Sequence, residues 1–525
     1  MPRAPGRGRA AAPHVSRRRD PATHALWPTL SPEQRAACAH VYAGAGSLLL
    51  CGAAGTGKSR VIEVVRDTAD AAVTATTACA ATLVGGVTLH SLLMWRPNQP
   101  FDEWAQRIKT VRARLARVDV LVVDEASMLA RPDFETLDRM LRRAAKGIAA
   151  RAAGADAPFG GFRLMLVGDP LQLPPVSGAP FYAAPVFDRL APRVLVLQRV
   201  YRQDGGLFLH VLSCLRLGHV TPLAALAVLA LEHRAAHLVA ETNAMHLYAV
   251  RSLRDAHNLA QLRLHGAATR FERSWELGIA RPGWFRVHGR AVHVVAPLAH
   301  EGRPPPAGDA VFALGCPVRV VANIDQRAGL VNGAFGAVAG IDAARRAVTV
   351  RLADGTTHTL GERPVYERVW RLAGGRKLVD RCVCVPLELA WAGTVHAAQG
   401  ATVRGAVALD TTHRYVSAAL LYVGASRATR LAHLLPTGVS GAMLAVRPAP
   451  DALAFLRRHG LDDAAEAARL DAESAELLPR AGELLGREAD LAPDDAARVL
   501  RAVVRNPRAA ERWPLFFGAW RDVPV

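Results

Sequence analysis

Between residues 25 and 200, apolar runs of strand length alternate with helical patterns. That alternation implies an α/β chain whose parallel sheet carries helices on both faces. A second α/β region covers about 201–310 and resumes over 390–438. Between those limits, at 311–389, the pattern changes to short β-rich pieces with turn signals, as in Val318-Arg-Val-Val321, Ala347–Leu352 and Ala353-Asp-Gly355. A small β-barrel inserted into the second domain is the simplest account. At 525 residues the chain exceeds one ordinary core and suggests about three or four domains.

Taken in order, residues 1–24 carry Arg3, Arg7, Arg9 and Arg17-Arg18-Arg19 among Pro, Gly and Ala, opposed only by Asp20. They read as a basic disordered arm. A DNA-holding arm, a nuclear signal and a solvated tail all fit this composition, while Pro2, Pro5 and Pro13 weigh against a mitochondrial presequence. Strands are expected at Ser47–Cys51, Ala72–Ala75, Val118–Val123, Phe162–Val167 and Arg193–Leu197. The stretch at about 92–116, with Trp95 and Trp104, interrupts them as a small insertion. Residues 439–525 are Ala- and Leu-rich with interspersed acids, and read as a helical C-terminal extension.

A formal charge of +19 and a sequence pI near 10.6 make a polyanion the natural partner, with nucleic acid ahead of a membrane. Lys58, Lys109, Lys146 and Lys377 are the only lysines, so nearly all positive charge is arginine, which grips phosphate bidentately and stacks on bases. No apolar run approaches the roughly 18 residues of a spanning helix. Seven scattered cysteines without paired C-x-x-C spacing indicate neither a zinc site nor a disulfide framework, and fit a reducing compartment.

The strand at Ser47–Cys51 runs into Gly52-Ala53-Ala54-Gly55-Thr56-Gly57-Lys58-Ser59 and then a helical pattern. Strand, glycine-rich loop and helix in that order form a phosphate loop, so the chain is expected to bind a nucleoside triphosphate. The glycines let backbone N–H groups wrap the phosphates, Lys58 reaches the outer ones, and Ser59 can ligate Mg²⁺. A second buried strand ends in Asp124-Glu125, placing two acids near that loop: Asp124 to hold Mg²⁺ through water, Glu125 to orient and deprotonate the attacking water. A third ends in Gly168-Asp169-Pro-Leu-Gln172, where an amide on a proline-braced turn can sense the γ-phosphate. Arg202 and Arg427 each stand at an element boundary. Arg427 is the expected arginine finger in cis, with Arg202 its companion.

Together these segments resemble the Pif (petite integration frequency) family of DNA helicases, in the 5′-to-3′ branch of superfamily one, with RecD and Dda helicases as relatives. The resemblance covers about residues 30–432. Leu30-Ser-Pro-Glu-Gln34 resembles the family's adenine-reading motif, with Gln34 the reader, and Thr88-Leu-His90-Ser91 its strand-contacting segment. Pro158-Phe-Gly-Gly161, Gly329–Gly336 and Pro386–Gly400 resemble further family segments. It implies two RecA-like domains with ATP and Mg²⁺ between them and single-stranded or forked DNA across their upper face. It also implies a strand-separating wedge in the first domain and a small barrel in the second.

From the resemblance, Thr77, His90, Thr394 and His396 are expected to touch DNA, and Trp95 and Trp104 to stack on bases; core packing is expected for Trp391. The expected activity is ATP-driven, 5′-to-3′ unwinding in replication, repair or recombination, with replication or recombination proteins as further partners. The alternative is a translocase that displaces proteins with little unwinding. Its place is where DNA is replicated, nuclear, cytoplasmic or mitochondrial, neither secreted nor in a membrane. The chain departs from the family pattern at Ala397, at Thr76 and Ala78, and at Gly424-Ala425, none of which belongs to the catalytic set.

Overall fold

The computed structural model describes residues 18–505 except 97–100, 204–205, 239–242, 266, 280, 289, 298–307, 327, 404, 440–445 and 492. Most of the basic arm, residues 1–17, and the end of the extension, 506–525, therefore lie outside the described residues.

The first lobe is a six-stranded parallel sheet of β1 (Leu48–Gly52), β2 (Ala71–Ala75), β3 (Val87–Thr88), β4 (Val120–Asp124), β5 (Arg163–Gly168) and β6 (Arg193–Leu197), in the order β3-β2-β4-β5-β1-β6. All five residues of β1 and of β4 are buried, as continuous apolar runs flanked by helices require. The register pairs Leu50 with Val167 and Val122 with Met165, so β4, β5 and β1 lie side by side. Their carboxyl ends, Asp124, Gly168 and Gly52, consequently share one edge, where open α/β sheets bind ligands.

Helix α1 (Pro32–Ala43) opens on a capping box, with Gln34 N–H donating to Ser31 Oγ and Ser31 N–H to Gln34 Oε1. Helix α2 (Lys58–Thr68) leaves the loop after β1. Then come α3 (Ala78–Leu83), α4 (Leu89–Leu92), α5 (Phe101–Ala105), α6 (Ile108–Leu115), α7 (Arg131–Ala145) and α8 (Pro185–Leu190). The stretch at 92–116 is thus largely helical, and Arg112 of α6 donates to the carbonyls of Arg143 and Ala144 in α7.

A four-stranded parallel sheet forms the second lobe: β7 (Met245–Tyr248), β20 (Ala392–Thr394), β21 (Val407–Asp410) and β22 (Leu434–Thr437), in the order β20-β7-β21-β22. Its helices are α9 (Gly206–Leu217), α10 (Pro222–Leu238), α11 (Arg251–Leu264), the short α12 (Val395–Ala398) and α13 (Ala418–Ala425).

The β-rich insertion begins at residue 269 rather than 311, and it holds two five-stranded sheets. One comprises β13 (Pro317–Val320), β14 (Phe335–Asp342), β15 (Ala347–Leu352), β16 (Thr357–Gly361) and β19 (Leu387–Leu389), with β8 (Thr269–Phe271) and β12 (Ala310–Phe312) as an additional pair. The other runs β10-β11-β17-β18-β9, from β9 (Ser274–Trp275), β10 (Gly283–Val287), β11 (Arg290–Pro297), β17 (Arg363–Leu372) and β18 (Lys377–Cys384). Apart from the β10–β11 hairpin, the strands before 311 find their partners far along the chain, Val294 opposite Leu372 and Trp275 opposite Cys382. Such pairing leaves no local trace by which to assign them.

The extension folds as α14 (Pro450–Arg458), α15 (Asp463–Leu477), α16 (Ala481–Glu488) and α17 (Pro493–Val504). Leu470, Leu484, Leu485 and Leu500 join the same apolar core as Leu226 and Leu231 of α10. The Glu488 carboxylate accepts from the N–H groups of Leu207 and Phe208, closing the amino end of α9. From α14, Phe455 stacks on Tyr182 of the first lobe, ring centroids 4.3 Å apart. Among the described residues no single helix is long and apolar enough to cross a membrane; α9 with most of α10 passes only as a pair bent by 106°.

Candidate nucleotide cleft and adjoining groove

A cavity of about 480 Å³ opens at the carboxyl edge of the first sheet. The first lobe lines it with Gln34, Ala54, Gly55, Gly57, Lys58, Ser59, Asp124, Glu125 and Gln172; Arg202 stands on the connection, and Gly400 and Arg427 come from the second lobe. Of the expected nucleotide-site residues, Gly52, Ala53 and Thr56 form the loop's own backbone without lining the cavity.

The loop is built for close approach. Gly57, at φ 80°, starts α2 in a left-handed conformation, and a Cβ there would meet Gln34 Nε2 at 2.5 Å. Lys58 Nζ donates to the carbonyls of Gly52 and Ala53 at 2.7 and 3.0 Å, which folds the ammonium back into the loop. Burial pushes its pKa below the usual lysine range. Gln34, expected to read adenine, has its amide engaged: Oε1 in the helix cap and Nε2 on the Thr56 carbonyl at 2.9 Å. In this arrangement it braces the loop from the cavity wall.

Burial, and then the neighbouring Glu125 carboxylate, raise the Asp124 carboxyl to about 7. Two crowded acids, Asp124 buried and Glu125 partly so, with the Ser59 hydroxyl on the same wall, are a donor set that a divalent cation relieves. The residues therefore fit Mg²⁺. Glu125 adopts φ 52°, a left-handed conformation rare for a side chain of its size and of the kind that collects at active sites.

Arg427 is almost wholly buried. Its Nε donates to the Val423 carbonyl, one terminal nitrogen to the carbonyls of Ala401 and Ala398 and the other to Ser426 Oγ, so four bonds aim the guanidinium before any ligand arrives. Burial and then the nearby Arg202 charge lower its pKa to about 10, which leaves it charged at neutral pH. Gln172 is also buried, on the turn where its N–H donates to the Asp169 carbonyl.

A second cavity, of about 540 Å³, adjoins the first and collects Thr77, His90, Thr394 and His396, all four expected DNA contacts. Thr77 and Thr394 cap the short helices α3 and α12 through their hydroxyls. Burial lowers the pKa of His90 and of His396, the latter also beside Arg251, so both imidazoles are neutral hydrogen-bonding groups at pH 7 rather than cations. Trp95 and Trp104 do not offer their faces as expected. Trp104 is fully buried with Nε1 donating to the Leu93 carbonyl, and Trp95 is covered by a stack on His90 at 4.5 Å. Large apolar rings beside a short helix lower the free energy more by joining the core than by waiting in water. Trp391 is half-buried against the apolar core of the β13–β16 sheet.

Several site residues lay outside the sequence expectations. Gln399 Nε2 donates to Glu125 Oε2 at 3.0 Å, linking the lobes, and Tyr422 OH accepts from the Ala54 N–H at 2.7 Å. Arg216 of α9 grips the fully buried Asp169 with two bonds of 2.9 Å. Gln203 is buried beside Gly55 with neither amide atom hydrogen-bonded. Groove residues Arg251, Asn323 and Asn332 were missed as well. Gln399 and Tyr422 stand close in sequence to Gly400 and Arg427, the one signal that pointed to them; Arg216 carries none.

Residues 29–188 match the model of the PIF1-like helicase family. The human protein described as ATP-dependent DNA helicase PIF1 is 32% identical over 429 residues, covering 77% of this chain and 60% of that protein. The chain spans about 60% of the length of the mammalian relatives it matches. Among solved structures, Pif1 helicase from Candida albicans aligns with a TM-score of 0.62 at 25% identity, over 82% of this chain and 98% of that one. Pif1 helicase from Bacteroides, in complex with ADP-AlF3 and single-stranded DNA, aligns at 0.66 and 23%, over 82% and 97%, a likeness of fold.

Proposed function

The chain belongs to the PIF1-like helicase family, and from the cleft and groove described above we infer that it is an ATP-dependent DNA helicase moving 5′-to-3′ on single-stranded DNA and unwinding duplex. One observation carries this reading. The segment from Thr394 to Gly400 lines both cavities, Thr394, His396 and Gln399 in the groove and Gly400 in the cleft, while Gln399 holds Glu125. A change at the triphosphate is thereby felt at the strand.

Each residue has a distinct role. Loop N–H groups and Lys58 bind the phosphates, and Mg²⁺ held at Ser59 and Asp124 supplies charge neutralisation when bound. Glu125 takes the proton of the attacking water, Gln172 senses the γ-phosphate, and Arg427 with Arg202 stabilises charge that develops on it. Closure of the two lobes on ATP and their opening after hydrolysis ratchet the groove along DNA, while the helices at 92–116 act as the wedge. Single-stranded and forked DNA are the partners, in replication, repair or recombination, and the protein works where DNA resides.

A forked duplex tests the reading. Release of product strands only when a 5′ tail is present is expected. DNA-stimulated hydrolysis without strand release would favour a translocase, and release from a 3′ tail would reverse the direction.

A further inference from the structure

The β10-β11-β17-β18-β9 sheet has one face packed on a core of Ile279, Val294 and Trp370, with Phe285, Leu372 and Leu378 against it. Side chains alternate along a strand, so the residues between these point to the opposite face. On β10 they are Trp284 and Arg286, opposite His293 and Ala291 of β11. On β17 they include Arg371, opposite Lys377 of β18, and Glu367, opposite Arg381.

Trp284 is 74% exposed, the most exposed large aromatic side chain among the described residues. It is nonetheless ordered, stacked on His293 with ring centroids 4.8 Å apart and planes 18° from parallel. Val379 is also exposed, at 37%. The charge on this face is mostly positive. Glu367 and the nearby Glu276 both lie against Arg381, at 3.3 and 3.9 Å, whereas Arg286 and Arg371 make no ion pair among the described residues. Four strands at the usual spacing of about 4.8 Å set Trp284 roughly 14 Å from the Lys377 row.

A flat aromatic stacked on one neighbour and otherwise largely exposed, beside guanidinium groups without ion pairs, is the chemistry that takes unstacked bases and their phosphates. We propose that this sheet is a second single-stranded nucleic-acid platform, apart from the groove between the lobes, on which Trp284 stacks a base while Arg286 and Arg371 hold the backbone. The platform adds to the proposed function, from which it takes only the identity of DNA as ligand. It engages the part of a strand that extends past the groove.

The test is an anisotropy titration of the full chain with fluorescein-labelled oligothymidylates of about eight nucleotides, filling the groove alone, and of about thirty, reaching beyond it. Trp284→Ala is expected to weaken the long strand by about five- to 150-fold, the range that loss of one base–aromatic stack gives, and to leave the short strand at wild-type affinity. Trp284→Phe, which keeps an aromatic face, should retain most of the long-strand affinity. Arg251→Ala in the groove should weaken both lengths. Long-strand affinity within about twofold of wild type in Trp284→Ala, alongside the Arg251→Ala loss, would overturn the platform and leave the groove standing. Failure of the wild-type chain to bind either length would remove the platform together with the proposed function.

Discussion

At Arg427 the guanidinium is fixed by four bonds to its own lobe and lowered in pKa by burial, so its positive charge is presented without reorganisation. Preorganised charge of this kind lowers the barrier rather than tightening substrate binding. Arg427→Ala is therefore expected to lower kcat by about 10³-fold or more while nucleotide affinity stays near wild type, as read by steady-state hydrolysis and a nucleotide titration. Arg216 acts one step away. Its two bonds to the buried Asp169 anchor the turn that carries Gln172, and Arg216→Ala leaves that carboxylate without its counter-charge. A loss of about 3–5 kcal/mol in denaturant unfolding is expected, with partial rescue by Arg216→Lys; an unchanged midpoint would separate Asp169 from this arginine.

Elements take their position from neighbours remote in sequence. The amino end of α9 is closed by Glu488 from α16, so Glu488→Ala should cost about 1–2 kcal/mol, the range of a lost helix cap, measurable by urea denaturation. Strand β7 carries His246 against His257 of α11, ring centroids 4.0 Å apart, and burial with the second imidazole lowers the His246 pKa to about 4. The folded state thus binds its proton less tightly than the unfolded chain does, near 6.5. Between those values the unfolded state holds more protons, so stability falls as pH drops from about 6.5 towards 4. Urea midpoints at pH 7.5 and pH 5 should show the decline, and His246→Phe should flatten part of it. The helical character of the extension between 450 and 504 was legible from composition, whereas its partner surface on α9 and α10 was not, because an Ala- and Leu-rich stripe packs on any complementary apolar face.

Across the whole molecule, a charge of +19 carried almost entirely by arginine predicts that the logarithm of the DNA association constant falls linearly with the logarithm of salt, with a slope of about 0.7 per neutralised phosphate for single strands. Anisotropy titrations over a salt series provide the slope, and a flat response would remove the electrostatic account. Local patterns were enough to determine the alternating strands of the first lobe, the phosphate loop at Gly52–Ser59 and the acids after β4, because continuous apolar runs and glycine-rich turns act through neighbouring residues. Tertiary structure alone decided the start of the insertion at 269, the burial of Trp95 and Trp104, the Gln399 bond to Glu125 and the exposed face around Trp284. Each depends on which distant segment covers a surface, and the free energy of that choice resides in contacts between residues up to hundreds of positions apart, which no window of sequence contains.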